Sequence, residues 1–231
     1  MNRSPRFATT ALATLSLAVL TTFSLTPSAR AADALSAKLT DARAVYQELL
    51  SAEDRGVPQA LRDGCHCVAV IPHVLKGAIG IGGRYGRGVM SCRDTSGRWS
   101  APSFIKLTGG SFGFQIGGES TDLVLFFMTE RGARSLIDSK FTLGAAAGVA
   151  AGPVGRSGEA STDIALKAEI YSYAKSKGAF AGLSLEGSRL APDDSSNHTY
   201  YGPSVSAKKL LFEDAGAGGH KEAEAFRDVL P

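Results

Sequence analysis

Residues 67–92 read CVAVIPHVLKGAIGIGGRYGRGVMSC, and the predicted fold starts from this stretch. Short apolar runs lie at both of its ends, and glycines separate them. Further apolar runs follow at residues 104–107, 112–116 and 122–129. Short runs with glycines between them predict antiparallel strands joined by hairpins. Gly109-Gly110 is predicted to form one two-residue turn.

Small residues dominate a second stretch, Leu143–Gly158, which reads LGAAAGVAAGPVGRSG. It is not a phosphate-binding loop, since no glycine in it is followed by lysine and a hydroxyl residue. It is also shorter than the ~20 apolar residues that a membrane-spanning helix needs. Glycine and alanine at this density allow very close packing. We therefore predict a tightly packed centre of a β-rich domain, with only Arg156 left to contact a ligand.

Helices are predicted at both ends of the chain. Residues 33–52 carry an apolar stripe with a spacing of three and four, which predicts an amphipathic helix. This helix either packs on its own domain or lies on a lipid surface, and the acids on its polar face favour packing. Residues 204–212 and 221–230 predict C-terminal helices. The expected fold is α+β: a curved or barrel-like, mostly antiparallel sheet with an N-terminal amphipathic helix and C-terminal helices.

The first 31 residues have the pattern of a secretory signal peptide, with a basic start, a short apolar core and a small-residue motif ending at Ala31. Cleavage between Ala31 and Ala32 would place the mature protein in the periplasm or outside the cell. The leader holds three arginines and no acid, so its removal from a chain with 25 basic and 22 acidic residues leaves 22 of each. A net charge of zero gives no support to nucleic-acid binding.

Export permits a disulfide, and three cysteines predict one bridge and one free thiol. Cys67 opens one apolar run and Cys92 closes another, which suits neighbouring antiparallel strands, so we predict a Cys67–Cys92 disulfide. The alternative is a metal site at Cys65-His66-Cys67. Adjacent residues of a strand point to opposite faces, and this spacing matches no standard zinc pattern, so no metal is predicted.

Signals of catalysis are weak. None of the four histidines lies in an H-E-x-x-H frame, and no G-x-G-x-x-G occurs. An enzyme acting on a lipid or glycan would need a cluster of titratable side chains, for which the candidates are His73, Asp122, Asp163 and Glu169. We predict no catalytic residue and no cofactor, and we do not expect an enzyme.

Between residues 57 and 202 the chain carries, in order, the motifs VAVIP, KGAIGIGGRYGRGVMSCR, WSAPSFIKLTGGSFGFQIGGESTDLVLFFM, GARSLIDSKFTLGAAAGVAAGPVGR, AEIYSYAKSKGAFAGLSLEGS and YYG. This succession resembles the SYLF lipid-binding domain family, also called the Ysc84-type actin-binding domain family. The resemblance covers about residues 57–202, the core of one predicted domain over residues 32–231, and it implies lipid binding. Eukaryotic members bind phosphoinositides and some bind actin. A signal peptide argues against cytoplasmic actin as a native partner here.

Candidate lipid-binding residues are cations beside glycines and a possible strand face. The cations in family-like segments are Lys76, Arg84, Arg87 and Arg156. Their long side chains suit a phosphate headgroup, and salt bridges to nearby acids are the alternative. Residues 162–175 predict a strand with Lys167, Tyr171 and Tyr173 on one face. That face either meets a headgroup or partner, or is a solvated face with cross-strand aromatic packing.

We expect non-catalytic binding of an anionic lipid or another amphiphile at a membrane surface of the cell envelope. The alternative from another class is a periplasmic structural module that binds proteins through a sheet edge or through the tyrosine face. The two differ in the partner that copurifies with the protein.

Overall fold

The computed structural model describes residues 27–52, 57–79, 81–112, 117–137, 142–144, 148–153, 168–176, 179–182, 185, 187–213 and 218–231. The strands are β1 Cys67–Ile79, β2 Ile81–Cys92, β3 Ser103–Phe112, β4 Gly117–Phe127, β5 Val149–Ala151, β6 Ile170–Ser176, β7 Ala179–Gly182 and β8 Ser188–Pro192. The helices are α1 Pro27–Ser51, α2 Gln59–Gly64, α3 Glu130–Arg134, α4 Asp194–Tyr201, α5 Ala207–Phe212 and α6 Lys221–Arg227.

The strands form one strongly curled half-barrel sheet in the order β5-β6-β4-β1-β2-β3-β8, with β7 paired to β6. The pairs are antiparallel except β5 with β6, which is parallel. The predicted α+β class and the curved, mostly antiparallel sheet are therefore confirmed. Cys67 lies directly opposite Cys92 in the β1–β2 ladder, and the two form the predicted disulfide. Cys65 is free and buried.

A β-bulge in β1 divides this long strand into two halves. Val70 pairs with Val89 and Leu75 with Tyr85, so β1 has one residue more than β2 between these pairs. His73 lies in the bulge with a φ of 55°, and its backbone N–H donates to Asp122 Oδ1 at 2.8 Å. The extra residue reverses which side chains of β1 face which side of the sheet. Val70 and Leu75 consequently share one face, although they lie five positions apart.

Apolar clusters cover both faces of the sheet. Helix α1 packs on one of them, here called the α1 face, which carries Val68, Val70, Val89, Val124 and Phe126. The opposite face, here called the far face, carries Ile71, Met90, Ile105, Leu125 and Phe127 and is covered by segments that include Leu136, Leu143 and Leu211. Burial of the central strands on both faces explains why residues 123–127 are apolar without alternation.

The apolar stripe of α1 is buried inside the molecule. Leu39, Ala42, Tyr46 and Leu49 belong to the α1-face core, and Glu48 forms an ion pair with Lys175 of β6. The packing alternative for this helix is therefore the one observed. The predicted cleavage point lies within α1, and cleavage there would leave the buried stripe intact. Within the described ranges, no helix has both the length and the apolarity of a membrane span.

One local prediction was wrong, and one helix was not predicted. Gly109-Gly110 does not form a turn but continues β3, because Gly109 lies opposite Ser188 of β8. A β-carbon on Gly109 would lie 3.2 Å from Ser188 Cα, so this glycine allows a close approach of two strands. The segment after Pro192 forms helix α4, which was not predicted. In this helix the buried Asn197 Oδ1 accepts a hydrogen bond from Phe104 N at 2.8 Å, which links α4 to β3.

The tight packing predicted for Leu143–Gly158 is confirmed at Gly152. There an aromatic ring occupies the space that a side chain at position 152 would need. A β-carbon on Gly152 would lie 2.2 Å from Tyr173 Cζ. The Tyr173 hydroxyl donates to Pro153 O at 2.8 Å, and Gly152 N donates to Ser172 O. Glycine is thus required because Tyr173 of β6 lies directly against this backbone. Arg156 lies outside the described residues.

Candidate functional site

Two of the predicted cations lie side by side on the far face, beyond the bulge. Lys76 of β1 is directly opposite Arg84 of β2, and Glu119 holds the register position beside Lys76 on β4. On its other side Arg84 lies beside Gly109, and its Nη1 reaches past this glycine to donate to Ser188 Oγ at 3.1 Å. Residues directly opposite in an antiparallel pair share a face, so the two cations form one cationic pair.

Arg84 is half-buried, and its partner is neutral. Burial lowers the pKa of Arg84, since desolvation penalises the charged form. Among the described residues no carboxylate lies within ion-pair distance of it. A partly desolvated guanidinium with only a hydroxyl acceptor has unused donors, and an anion is the ligand that would complete its hydrogen bonding.

Arg87 forms a salt bridge, which was the alternative to lipid binding for these cations. Its side chain lies on the α1 face. Its Nη2 lies 2.6 Å from Asp193 Oδ2 and 2.6 Å from Ser196 Oγ. The hydrogen bond to Asp193 raises the pKa of Arg87. Burial by itself would raise the pKa of Asp193, but the hydrogen bonds from Arg87 and Ser196 outweigh it and hold that pKa below its usual range. This network joins β2 to the start of α4.

We expect Asp193→Asn to lower the free energy of unfolding at pH 7 by about 1 kcal/mol, because Arg87 is half-exposed and its ion pair is partly screened. A lowered folded-state pKa stabilises the fold above the ordinary aspartate value of 3.8 and loses that effect as the pH falls below it. The difference from wild type should therefore shrink in acid. Urea unfolding of both proteins at pH 7 and at a pH below 3.8 measures this difference.

The matched control for this variant is Asp194→Asn, which removes the neighbouring, exposed carboxylate. It should cost no more than a few tenths of a kcal/mol, the range of an exposed acid near a helix start. Equal losses in the two variants, or a loss that does not change with pH, would contradict the role given to Asp193.

The tyrosine face predicted for residues 162–175 is not exposed. Tyr171 is 6 % exposed and Tyr173 is fully buried, and both belong to the α1-face core. Their register partners Phe126 and Val124 place them beneath the helices, while Ile170 is buried on the far face. Strand β6 is therefore covered on both sides, so neither tyrosine is accessible to a headgroup or a partner. Lys167, predicted beside them, lies outside the described residues.

An exposed apolar pair was not predicted. Leu75 is 60 % exposed and Tyr85 is 49 % exposed, and they lie directly opposite each other on β1 and β2. They occupy the α1 face beyond the part that the helices cover. No sequence signal identified them, because the bulge between Val70 and Leu75 breaks the alternation that distinguishes the two faces.

The residues proposed for an enzyme do not converge. His73 Nδ1 lies 3.6 Å from Asp122 Oδ1, but Asp122 pairs with Lys175 near one end of β6, and Glu169 precedes the other end. Asp163 lies outside the described residues. Residues 109–113 read GGSFG, the spacing of a serine-nucleophile motif, yet residues 109–112 continue strand β3 instead of turning into a helix. In the described part no cluster of His, Cys, Asp or Glu could hold a metal.

A cleft of about 600 Å³ lies at the opposite end of the sheet, near Trp99 and Phe212. Three of its arginines are already engaged: Arg98 pairs with Asp94, Arg134 pairs with Glu130 and stacks on Phe212, and Arg93 donates to Asp63 O and Pro231 O. Trp99 is half-buried, and its Nε1 donates to Pro231 O at 2.6 Å. The Lys76–Arg84 pair lies at the other end of the sheet.

Taken together, the curled sheet, the packed helix and the cationic pair define an α+β domain suited to binding. The sequence model of one family, described as "Ysc84: Las17-binding protein actin regulator", matches residues 108–231. The chain belongs to the Ysc84 family, as its motifs predicted, and this family consists of non-enzymatic binding and regulatory domains.

Curated relatives show the same relationship. The chain is 41 % identical over 141 residues to SH3 domain-containing YSC84-like protein 1 of Xenopus laevis, covering 60 % of this chain and 42 % of the relative. It is 37 % identical over 161 residues to LAS seventeen-binding protein 3 of Saccharomyces cerevisiae, covering 68 % of this chain and 35 % of the relative. The chain thus spans less than half the length of these relatives.

Proposed function

We propose that this protein is a non-catalytic domain that binds an anionic amphiphile, such as an acidic phospholipid, in the cell envelope. The observation that carries the proposal is the cationic pair Lys76–Arg84 at the glycine-rich end of the sheet. Arg84 is partly desolvated there, and its hydrogen-bond partner is the neutral Ser188. A phosphate between the two side chains would supply the missing negative charge.

Like charges directly opposite each other in an antiparallel pair are destabilising. At its other register position Arg84 has Gly109, which carries no charge, and its hydrogen-bond acceptor is the neutral Ser188 hydroxyl. Arg84 is therefore the residue whose charge a ligand would balance. Gly109 beside it carries no side chain, so the Arg84 side chain can cross β3 close to the backbone and reach Ser188.

Replacing Arg84 by alanine should weaken binding to anionic vesicles by about fivefold, since one basic residue near an anionic surface contributes about 1 kcal/mol. Flotation with vesicles of phosphatidylcholine alone, and of phosphatidylcholine mixed with phosphatidylserine, measures this effect. The matched control is Arg43→Ala, which removes one exposed cation from α1.

Wild type and Arg43→Ala should float equally well with the mixed vesicles and poorly with the neutral ones. Equal recovery of wild type with both vesicle types would overturn the proposal. If Arg43→Ala lost binding and Arg84→Ala kept it, the binding cations would lie on α1 and not on the sheet.

A protein-interaction module is the second candidate, and the family description, which names a Las17-binding actin regulator, favours it. It predicts a protein partner and no extractable lipid, which mass spectrometry of an organic extract decides.

We also propose export through the leader at residues 1–31, with a mature chain starting at Ala32. The intact mass of protein recovered from a bacterial envelope fraction tests this cleavage site.

A further inference from the structure

One row of exposed residues crosses five neighbouring strands on the α1 face. The register aligns Ser120 of β4, Leu75 of β1, Tyr85 of β2, Thr108 of β3 and Arg189 of β8. All five are exposed. At the other end of the same face α1 and the C-terminal helices pack on the sheet, so this face has one covered half and one open half.

The open half combines apolar and cationic side chains. Leu75 and Tyr85 are neighbours in the row, and they are the large hydrophobic residues that the described part of the chain exposes. In the next row Lys106 lies beside Arg87. Arg87 is neutralised by Asp193, but Lys106 and Arg189 have no carboxylate within ion-pair distance among the described residues. Asp122, the nearest acid toward β4, is engaged by His73.

This composition fits an anionic bilayer better than a protein. A stable protein interface buries about 800 Å² on each partner around an apolar core, which two side chains do not supply. A peripheral membrane contact needs only a few inserted apolar side chains and cations that reach the headgroups. Leucine and tyrosine supply the apolar part, and the tyrosine hydroxyl remains hydrated at the interface.

We propose that the open half of the α1 face is a docking surface for an anionic bilayer. Leu75 and Tyr85 enter the headgroup layer, and Lys106 and Arg189 contact phosphates at its edge. The protein docks with α1 still folded on the sheet, because the apolar residues of that helix are buried in the core. This inference rests on the proposed binding of anionic amphiphiles and adds a second contact surface, on the face of the sheet opposite to the Lys76–Arg84 pair.

The test compares the Leu75→Ser/Tyr85→Ser double variant with wild type. Both positions are largely exposed, so the unfolding midpoint should stay close to that of wild type. Binding to phosphatidylcholine–phosphatidylserine vesicles should fall at least tenfold. Binding of dihexanoyl phosphatidylserine below its critical micelle concentration should not change, because Arg84 is intact. Thr108→Ser, in the same row, is the matched control and should bind like wild type.

A second readout locates the surface directly. Trp99 is the only tryptophan of the chain and lies at the opposite end of the sheet. Brominated acyl chains in anionic vesicles should quench the added fluorescence of a Tyr85→Trp variant and leave the fluorescence of wild type unchanged.

The outcomes separate the two proposals. If wild type binds neither anionic vesicles nor the soluble lipid, the proposed function is wrong and this inference with it. If the double variant binds vesicles as well as wild type does, or brominated lipid leaves Tyr85→Trp unquenched, the docking surface is wrong while the lipid site stands. Loss of a protein partner in the double variant, with vesicle binding unchanged, also overturns the inference.

Discussion

Gly88→Ala is expected to destabilise the protein by about 3 kcal/mol or more. A β-carbon at this position would lie 2.1 Å from Val70 O and 2.7 Å from Ile71 Cα. Both are backbone atoms at the bulge of β1, so no side chain can rotate away, and the two strands would have to separate. Overpacking in a core typically costs about 1–3 kcal/mol, and backbone contacts this short belong at the upper end of that range.

Urea unfolding of the purified protein measures this loss, with Gly83→Ala as the matched control. Gly83 lies in the same strand, and a β-carbon at this position would have its nearest neighbouring atom 4.0 Å away. The control should change the unfolding free energy by less than about 1 kcal/mol. If both variants were equally stable, the backbone of β1 at the bulge would not lie in close contact with Gly88.

Gly152→Ala should cost about 2–3 kcal/mol for a different reason. Its β-carbon would lie within 2.2–2.7 Å of three ring atoms of Tyr173. The ring is fully buried against Phe126 and α1, and its hydroxyl is fixed by Pro153 O. It cannot move aside without opening the core or losing that hydrogen bond.

Gly148→Ala is the control for Gly152, since it lies in the same small-residue stretch and nothing would be within 4 Å of a β-carbon there. Thermal or urea unfolding should show a large loss for Gly152→Ala and almost none for Gly148→Ala. Similar losses would mean that small residues are needed along the whole stretch and not at one point of contact.

Much of the fold could be predicted because it depends on local pattern. Short apolar runs separated by glycines predicted the antiparallel strands, and the positions of Cys67 and Cys92 in two such runs predicted their disulfide. The spacing of three and four in residues 33–52 predicted α1, including its packing on the domain. Helix α4 was missed because its eight residues are mostly polar.

The site could be predicted only in part. Lys76 and Arg84 were selected because they lie beside glycines, and the register does bring them together. Arg87 was selected on the same grounds but is bound to Asp193, which is 106 positions away in the sequence. Tyr171 and Tyr173 were placed on an exposed face because alternation shows that two residues share a side of a strand, but not which layer covers that side.

The sequence by itself determined the antiparallel sheet, the helices at its ends and the disulfide, since each follows from spacing along the chain, and its motifs indicated the family by resemblance. The tertiary structure decided which cations are free and which apolar residues reach the surface. The physical reason is the bulge at His73. It adds one residue to β1, and so Leu75 faces outward beside Tyr85 while Lys76 faces Arg84 on the other side. Only pairing with β2 and β4 reveals that shift, because a break in the alternation of apolar residues does not show which face each half of the strand presents.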